Sequence, residues 1–431
     1  MIDLQKLREN PEDFCKSVKR KGVEINAEEI LKLDDERKTL LQKVENARRA
    51  QNQASQKIAS EKDAGEKSKL ITEMKEVSDN LKENEKSLNE VSKDLKSRLI
   101  EIPNPPHAST PDGGEKDSAE IRKVGTIRNF EFKPKNHVEI GEACDLIDTK
   151  RGAKVSGSRF YYLKNEAVLL EFALAQYALE ILLKKDFTPM ITPSLVREEA
   201  MIGTGFFPAD RFEVYEVNPS TEKNPEGDDL FLVGTSEVPL TMFHADEILE
   251  GKLPKRYVGW STCYRREAGA YGKDTKGIFR VHQFDKLEMF SFCDPEKSWE
   301  EHDFLVSAQE EILQGLQLPY RAVNIAAGDL GAPAAKKIDL EVWIPSEKRY
   351  RELTSCSNCT DFQARRANVR FRGESGNEFV HTLNGTAVAM TRMLIAILEN
   401  FQLQDGGVEI PEVLQKWMGG KIEIRNLKVE S

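Results

Sequence analysis

No run of apolar residues in this 431-residue sequence approaches the roughly 18 to 20 needed to cross a bilayer, and Met1 to Pro11 holds no apolar signal core. The expectation is a cytoplasmic protein without membrane association. Cysteine is scarce: six residues scattered along the chain cannot make a disulfide framework, and free thiols suit a reducing compartment. Positive charge is not in excess, with 63 Lys and Arg against 73 Asp and Glu for a net charge of -10. That excludes a uniformly basic coat but not nucleic acid, because phosphates respond to local Lys and Arg patches. Neither a Rossmann glycine fingerprint nor a P-loop is present, so any nucleotide must be held by side chains. Proline is missing between Pro11 and Pro103, and glycine occurs there only at Gly22 and Gly65. Turn-rich structure is thereby excluded from this stretch, which leaves long helices.

The stretch has the pattern such helices need. Apolar or small residues fall at Ile30, Leu33, Leu40, Val44, Ala47, Ala54 and Ile58, interrupted by Arg37 and Gln51. A second series runs Leu70, Met74, Val77, Leu81, Leu88, Val91 and Leu95, interrupted by Asn84. Three-four spacing of this kind makes two coiled-coil seams, and the polar stretch Glu61 to Lys67, with Gly65, is the expected tip between antiparallel helices. About thirty residues at ~1.5 Å each give an arm on the order of 45 Å. Standing alone, such a hairpin serves dimerisation or scaffolding as readily as contact with a large ligand. Arg37, Lys38, Lys43, Arg48, Arg49 and Lys57 could meet phosphates, although charges on a helix surface are commonly only solvated.

A chain of this length exceeds what one core accommodates. Prolines and glycines crowd in from Ile102 to Gly114, and the division expected is residues 1–103, a linker at 104–114 and a mixed domain at 115–431. Within the last, a helix is expected over 167–184, an extended stretch over 187–196, strands over 256–264, 278–292, 340–344 and 350–353, and a final helix near 386–400. Strands that follow one another without regular intervening helices predict an α+β fold, an antiparallel sheet with helices on one side.

The strand expected over 278–292 reads IFRVHQFDKLEMFSF. Alternation would turn Arg280, His282, Phe284, Lys286 and Glu288 to one face, lining up a phosphate-binding cation, an aromatic plate and a carboxylate. A solvent-facing strand with cross-strand ion pairs is the competing reading. The preceding strand ends in CYRREAGAYG, where Arg265 and Arg266 offer planar forks of donors suited to phosphate oxygens. The glycine-bearing loop from Gly269 to Gly277 is expected to fold over a ligand.

TCYRREAGAYGKDTKGIFRVHQFDKLEMF resembles motif 2 of the class II aminoacyl-tRNA synthetases in its seryl form. LNGTAVAMTRMLIAILEN is similar to their motif 3, and FTPMITPSLV, with Pro193, to motif 1. VGTSEVPL and ELTSCSNCTDFQARR resemble segments of the seryl branch, and the likeness extends over the whole chain, helical hairpin included. The resemblance implies activation of L-serine by ATP and transfer to the end of tRNA(Ser), with Arg265, Arg280 and Arg392 as the catalytic arginines. Arg265 would bind the α-phosphate and the serine carboxylate, and Arg280 and Arg392 the γ-phosphate of a bent ATP. Phe284 would stack on adenine, and Arg266, Glu267, Val281, Leu353 and Thr354 complete the ATP contacts. Glu352 and Ser355 would ligate Mg²⁺, although residues three apart on a straight strand face opposite ways, so the chain must bend near Thr354. Thr235, Ser236, Glu237, Glu288 and Thr386 would form the serine site, with Glu288 meeting the ammonium group and Thr386 the hydroxyl. A homodimer is implied by motif 1, with the arm of one subunit presenting tRNA to the other; in bacteria the family also serves tRNA(Sec).

Two rivals stay open at this point: a paralogue that passes an aminoacyl-adenylate to a non-tRNA acceptor, and a coiled-coil interaction protein with a dead nucleotide fold. Cys356 and Cys359 form a lone CxxC with no second pair at suitable spacing, so no zinc is expected. For His282 a packing or hydrogen-bonding role is expected rather than that of a base.

Overall fold

The computed structural model describes residues 1–222, 224–269, 276–374 and 376–427. They form two compact units, Ile2–Pro103 and the remainder from Asn104 onward together with Met1. The first unit is all helix: α1 (Leu4–Glu9), α2 (Pro11–Lys19), α3 (Ala27–Ser60) and α4 (Ala64–Glu101). Each starts where a side chain satisfies a free backbone N–H, at Asp3, Asn10, Asn26 and Asp63 respectively. Helices α3 and α4, of 34 and 38 residues, run antiparallel, as the bridges Glu29 to Arg98 and Arg48 to Glu85 require. At ~1.5 Å per residue they are about 50 to 57 Å long.

The reversal is tighter than the expected 61–67. It occupies Glu61 to Asp63, because Asp63 accepts from the Glu66 N–H and starts α4 early, which places Gly65 inside the first helical turn. Ile30, Val44, Leu81, Leu95 and Leu99 are buried along the seam, whereas Ala54, Ile58, Leu70 and Met74 toward the tip are only half-buried. Two helices alone cannot fully cover a seam. Arg37 does not break it: its guanidinium turns back to Asp34, which is also paired with Arg8 and Lys38.

The second unit is built on eight strands, β1 (Ala119–Val124), β2 (Phe187–Ile191), β3 (Lys255–Tyr264), β4 (Gln283–Cys293), β5 (Tyr320–Asn324), β6 (Lys336–Ile344), β7 (Arg349–Asn358) and β8 (His381–Ala389). Their spatial order is β1-β5-β6-β7-β8-β4-β3-β2, and every pairing is antiparallel except the edge pair β2 with β3. Pro189 is tolerated in β2 because an edge strand need not donate on its outer side. One face of the sheet, including Leu287, Met289 and Cys293 of β4, packs in the main core with α5 (Glu166–Leu183), α7 (Ser298–Gly315) and α9 (Met390–Asn400).

Helices are not confined to that side. On the other face, Phe290 and Phe292 pack against Leu240 of the short α6 (Glu237–Met242) and Ala364 and Ala367 of α8 (Phe362–Ala367). The two short helices cover only one end of that face, and the rest is left open for a cavity. Residues after Pro103 are bonded to this unit: Asn104 Nδ2 donates to the carbonyls of Pro333 and Cys359 (both 2.8 Å), and the His107 N–H to Ala335 O at 2.8 Å.

Several expected boundaries move: β6 starts at Lys336 rather than 340, β7 runs on to Asn358 rather than ending at 353, and β2 ends at Ile191. Strand β4 begins at Gln283, so 278–282 forms an irregular turn instead of its first five residues. Thr386 lies in β8, and the helix starts only at Met390. A strand buried on both faces reads as an unbroken apolar run, and by pattern alone such a run cannot be separated from a following helix. The loop expected from Gly269 to Gly277 falls mainly at 270–275, outside the described residues.

Candidate active site

On the open face of the sheet lies a solvent-open cavity. Strand alternation on β4 turns Phe284, Lys286 and Glu288 into it. Arg265 enters from the end of β3; its guanidinium donates to Gly234 O at 3.1 Å and lies 5.3 Å from the centre of the Phe284 ring. Arg280 arrives from the turn before β4, which is anchored by the buried side chains of Ile278, Phe279 and Val281, and donates to Glu267 Oε2 at 3.1 Å. Arg392, in the first turn of α9, is 3.1 Å from Glu352 Oε1 and lies over the Phe279 ring at 5.1 Å. Three guanidinium groups from three elements thus share one cavity with an aromatic plate and several carboxylates.

The opposite end is acidic and hydroxylic. Lys286 Nζ is 2.6 Å from Glu288 Oε2 and donates to Thr235 Oγ1 at 2.7 Å, and the Thr386 hydroxyl, across the sheet from Glu288, donates to the same Glu288 oxygen at 3.1 Å. Glu237 Oε1 accepts from Gln363 Nε2 (2.7 Å) and Asn384 Nδ2 (2.9 Å). Burial, reinforced by the charge of Glu288, pushes the Glu237 carboxyl up to about 7. At the guanidinium end the effect is opposite, and the charge of Arg392 holds the Glu352 carboxyl below the usual carboxylate range. One cavity therefore joins an anion-binding end to an end that suits a cationic, hydroxyl-bearing ligand.

Glu352 and Ser355 both line the cavity despite their odd spacing. Leu340 pairs with Thr354 and Glu341 with Glu352, so Leu353 is an extra residue and the bend falls there, one residue before Thr354. The donor set fits Mg²⁺, since an ionised carboxylate and a neighbouring hydroxyl are hard oxygen ligands. Among the described residues no three His, Cys, Asp or Glu side chains cluster to hold a metal. Cys356 and Cys359 are buried, and Cys359 Sγ accepts from Asn384 Nδ2 at 3.6 Å.

Two expected site residues are elsewhere. Ser236 is buried behind the sheet face, bonded to Ser261 Oγ at 2.7 Å and Gly259 O at 3.2 Å, because it sits where α6 packs on β3. Arg266 is exposed and lines a separate groove with Phe212 and Tyr215, since neighbouring residues on an extended chain point apart and Arg265 takes the inner side. The other expected residues, from Thr235 and Glu237 through Thr386 and Arg392, line the cavity. His282 stays outside it: Nδ1 is 3.0 Å from Arg265 O and the ring packs near Phe160. Phe206, Phe279, Asn384 and Thr391 line the cavity without having been singled out, and Lys286 was given no role. Only Lys286 carried a sequence signal, its place between Phe284 and Glu288.

Residues 215–401 match the family described as tRNA synthetase class II core domain (G, H, P, S and T), and residues 1–106 that described as seryl-tRNA synthetase N-terminal domain. The serine–tRNA ligase of Dictyoglomus turgidum is 46% identical over 97% of this chain and 98% of its own. That of Thermobifida fusca is also 46% identical, over 97% and 98%. Among solved structures, seryl-tRNA synthetase from Pyrococcus horikoshii complexed with ATP superposes with a TM-score of 0.87 at 42% identity, covering 99% of this chain and all of that one. The cytoplasmic enzyme from Naegleria fowleri in complex with AMP does so with a TM-score of 0.85 at 35% identity, covering 99% of each.

Proposed function

The chain belongs to the seryl-tRNA synthetases of class II, and from that membership we propose that the sheet cavity is where its serine and ATP meet. It is a ligase that activates L-serine with ATP and charges serine tRNA. One observation supports the placement above others: Arg265, Arg280 and Arg392, from three elements, converge on one cavity with Phe284, Glu288 and Glu352.

The chemistry needs no enzyme nucleophile. The serine carboxylate attacks the α-phosphorus, pyrophosphate leaves, and a hydroxyl of the terminal adenosine of tRNA then takes the seryl group from AMP. Positioning and preorganised charge supply the rate. Arg265 stands between the two ends, suited to hold the serine carboxylate beside the α-phosphate and to offset charge as they join. Arg280 and Arg392 take the distal phosphates, and Phe284 with the backbone at Val281 takes the base. Glu352 and Ser355 would hold Mg²⁺, which would supply neutralisation of phosphate charge there. At the acidic end, Glu288 and Glu237 receive the ammonium group and Thr386 the hydroxyl. Alanine would leave those polar groups unpaired, and the threonine methyl would crowd a small pocket.

We assign tRNA recognition to residues 1–103, whose exposed Lys43, Arg49 and Lys57 on α3 are suited to phosphates, and the chemistry to residues 115–431, with 104–114 joining them. A homodimer is supported by apolar side chains open on the second unit, and six free thiols favour a cytoplasmic setting. Among the described residues no helix is long and apolar enough to cross a membrane. A role with tRNA(Sec) belongs to the same reading. The test is pyrophosphate exchange across the twenty amino acids, and exchange driven by serine alone is expected. Exchange with another amino acid at equal efficiency would reject the assignment of the acidic end.

A further inference from the structure

Gln363 stands one layer behind the acidic end. It is fully buried on α8 and does not line the cavity. The Thr382 hydroxyl donates to its Oε1 at 2.7 Å, and its Nε2 donates to Thr204 O at 3.1 Å and to Glu237 Oε1 at 2.7 Å. Turned over, Oε1 would face the Thr204 carbonyl and, with serine bound, the ionised Glu237 carboxylate, acceptors with no proton to offer, so the orientation shown is the one that suits the ionised state. With Asn384 Nδ2 also at 2.9 Å, Glu237 Oε1 is held by two neutral donors. No described residue bonds Glu237 Oε2, and Glu237 lines the cavity.

We propose that Gln363, oriented by Thr382, is a positioning residue for amino-acid recognition: it fixes one carboxylate oxygen of Glu237 and thereby presents the other to the ammonium group of serine. The two residues come from different elements, α8 and β8, and neither reaches the ligand. Both donors on Oε1 are uncharged, so neither cancels the charge that Glu237 carries once the serine ammonium group favours its ionised form. This rests on the reading that Glu237 serves the serine end of the cavity.

The experiment measures KM for serine and for ATP by pyrophosphate exchange in Gln363→Met, Thr382→Val, Thr382→Ser and Glu237→Gln, each checked for folding by thermal unfolding. Gln363→Met keeps the length and apolar stem but removes the donor. It is expected to raise KM for serine about ten-fold, the effect of losing one hydrogen bond to a charged acceptor, with KM for ATP unchanged. Thr382→Val is expected to shift serine KM in the same direction by less, and Thr382→Ser, which keeps the hydroxyl, to leave it at the starting value. Equal changes in both KM values, or an unchanged serine KM in a folded Gln363→Met protein, would overturn the proposal. If Gln363→Met does not fold, the contrast between Thr382→Val and Thr382→Ser decides the matter, and equal serine KM values there reject it. An unaltered serine KM in Glu237→Gln would instead sink the underlying assignment of Glu237.

Discussion

At Glu237 a buried carboxyl sits beside a second one, Glu288, with Lys286 and Arg265 as nearby cations and with Gln363 and Asn384 as its bonded partners. Burial favours the neutral form, so the carboxyl rises from 4.5 to about 7. A folded-state value above the unfolded one means the folded protein holds the proton more tightly. The stability from this group is therefore complete below about pH 4.5 and is lost as pH climbs through about 7. A serine ammonium group reverses the preference and favours the carboxylate. Serine binding near pH 6.5 is accordingly expected to release a fraction of a proton, falling toward zero above about pH 8. Calorimetry in two buffers of different ionisation enthalpy reads this directly, and the same release in Glu237→Gln would assign the proton elsewhere. The pair Glu288 and Thr386 shows how far residue types alone reach. A carboxylate and a hydroxyl can be picked out of the sequence, but their sharing of a hydrogen bond depends on the register of β4 against β8.

Among the elements, the helical hairpin was the most legible, because proline is absent over ninety residues and an apolar series needs no distant partner to declare itself. Only its tip was misplaced, where the Asp63 cap outweighed the glycine. Strand β4 was legible from Gln283 onward but not before it. Arg280 reaches the cavity through a turn pinned by Ile278, Phe279 and Val281, and that anchoring lies in the core rather than in any local period. The bulge at Leu353 was demanded by the spacing of Glu352 and Ser355, yet only the pairing with β6 decided which residue is extra. The arm supports a clean prediction. A variant lacking residues 30–100 is expected to keep serine-dependent pyrophosphate exchange near the full rate and to lose charging of serine tRNA by at least about ten-fold in kcat/KM, as expected when positioning contacts to backbone phosphates are removed. Retention of full charging would show that the hairpin serves another purpose.

The whole molecule leaves an apolar area uncovered on the second unit. Ile191 is 89% exposed, Phe172 59% and Leu169 42%, and Ile191 pairs with Trp260, which shares a shallow cavity with Phe172. Soluble proteins seldom leave such side chains open together without a partner. For the proposed homodimer, Phe172→Asp combined with Ile191→Asp is expected to give a monomer by light scattering coupled to size exclusion, and a dimer unchanged by both charges would place the interface elsewhere. Periodicity, punctuation and ordered motifs in the sequence determined the arm, several of the strands and the residue types proposed to handle phosphate, nucleobase and serine, because those are local or are carried by residue identity. Tertiary structure decided that Arg265 rather than Arg266 lines the cavity, that Ser236 is bonded behind the sheet face, and that Gln363 and Lys286 are bonded to the carboxyls of the acidic end. Each of those depends on which strand lies beside which, a matter of long-range burial that no short stretch of sequence contains.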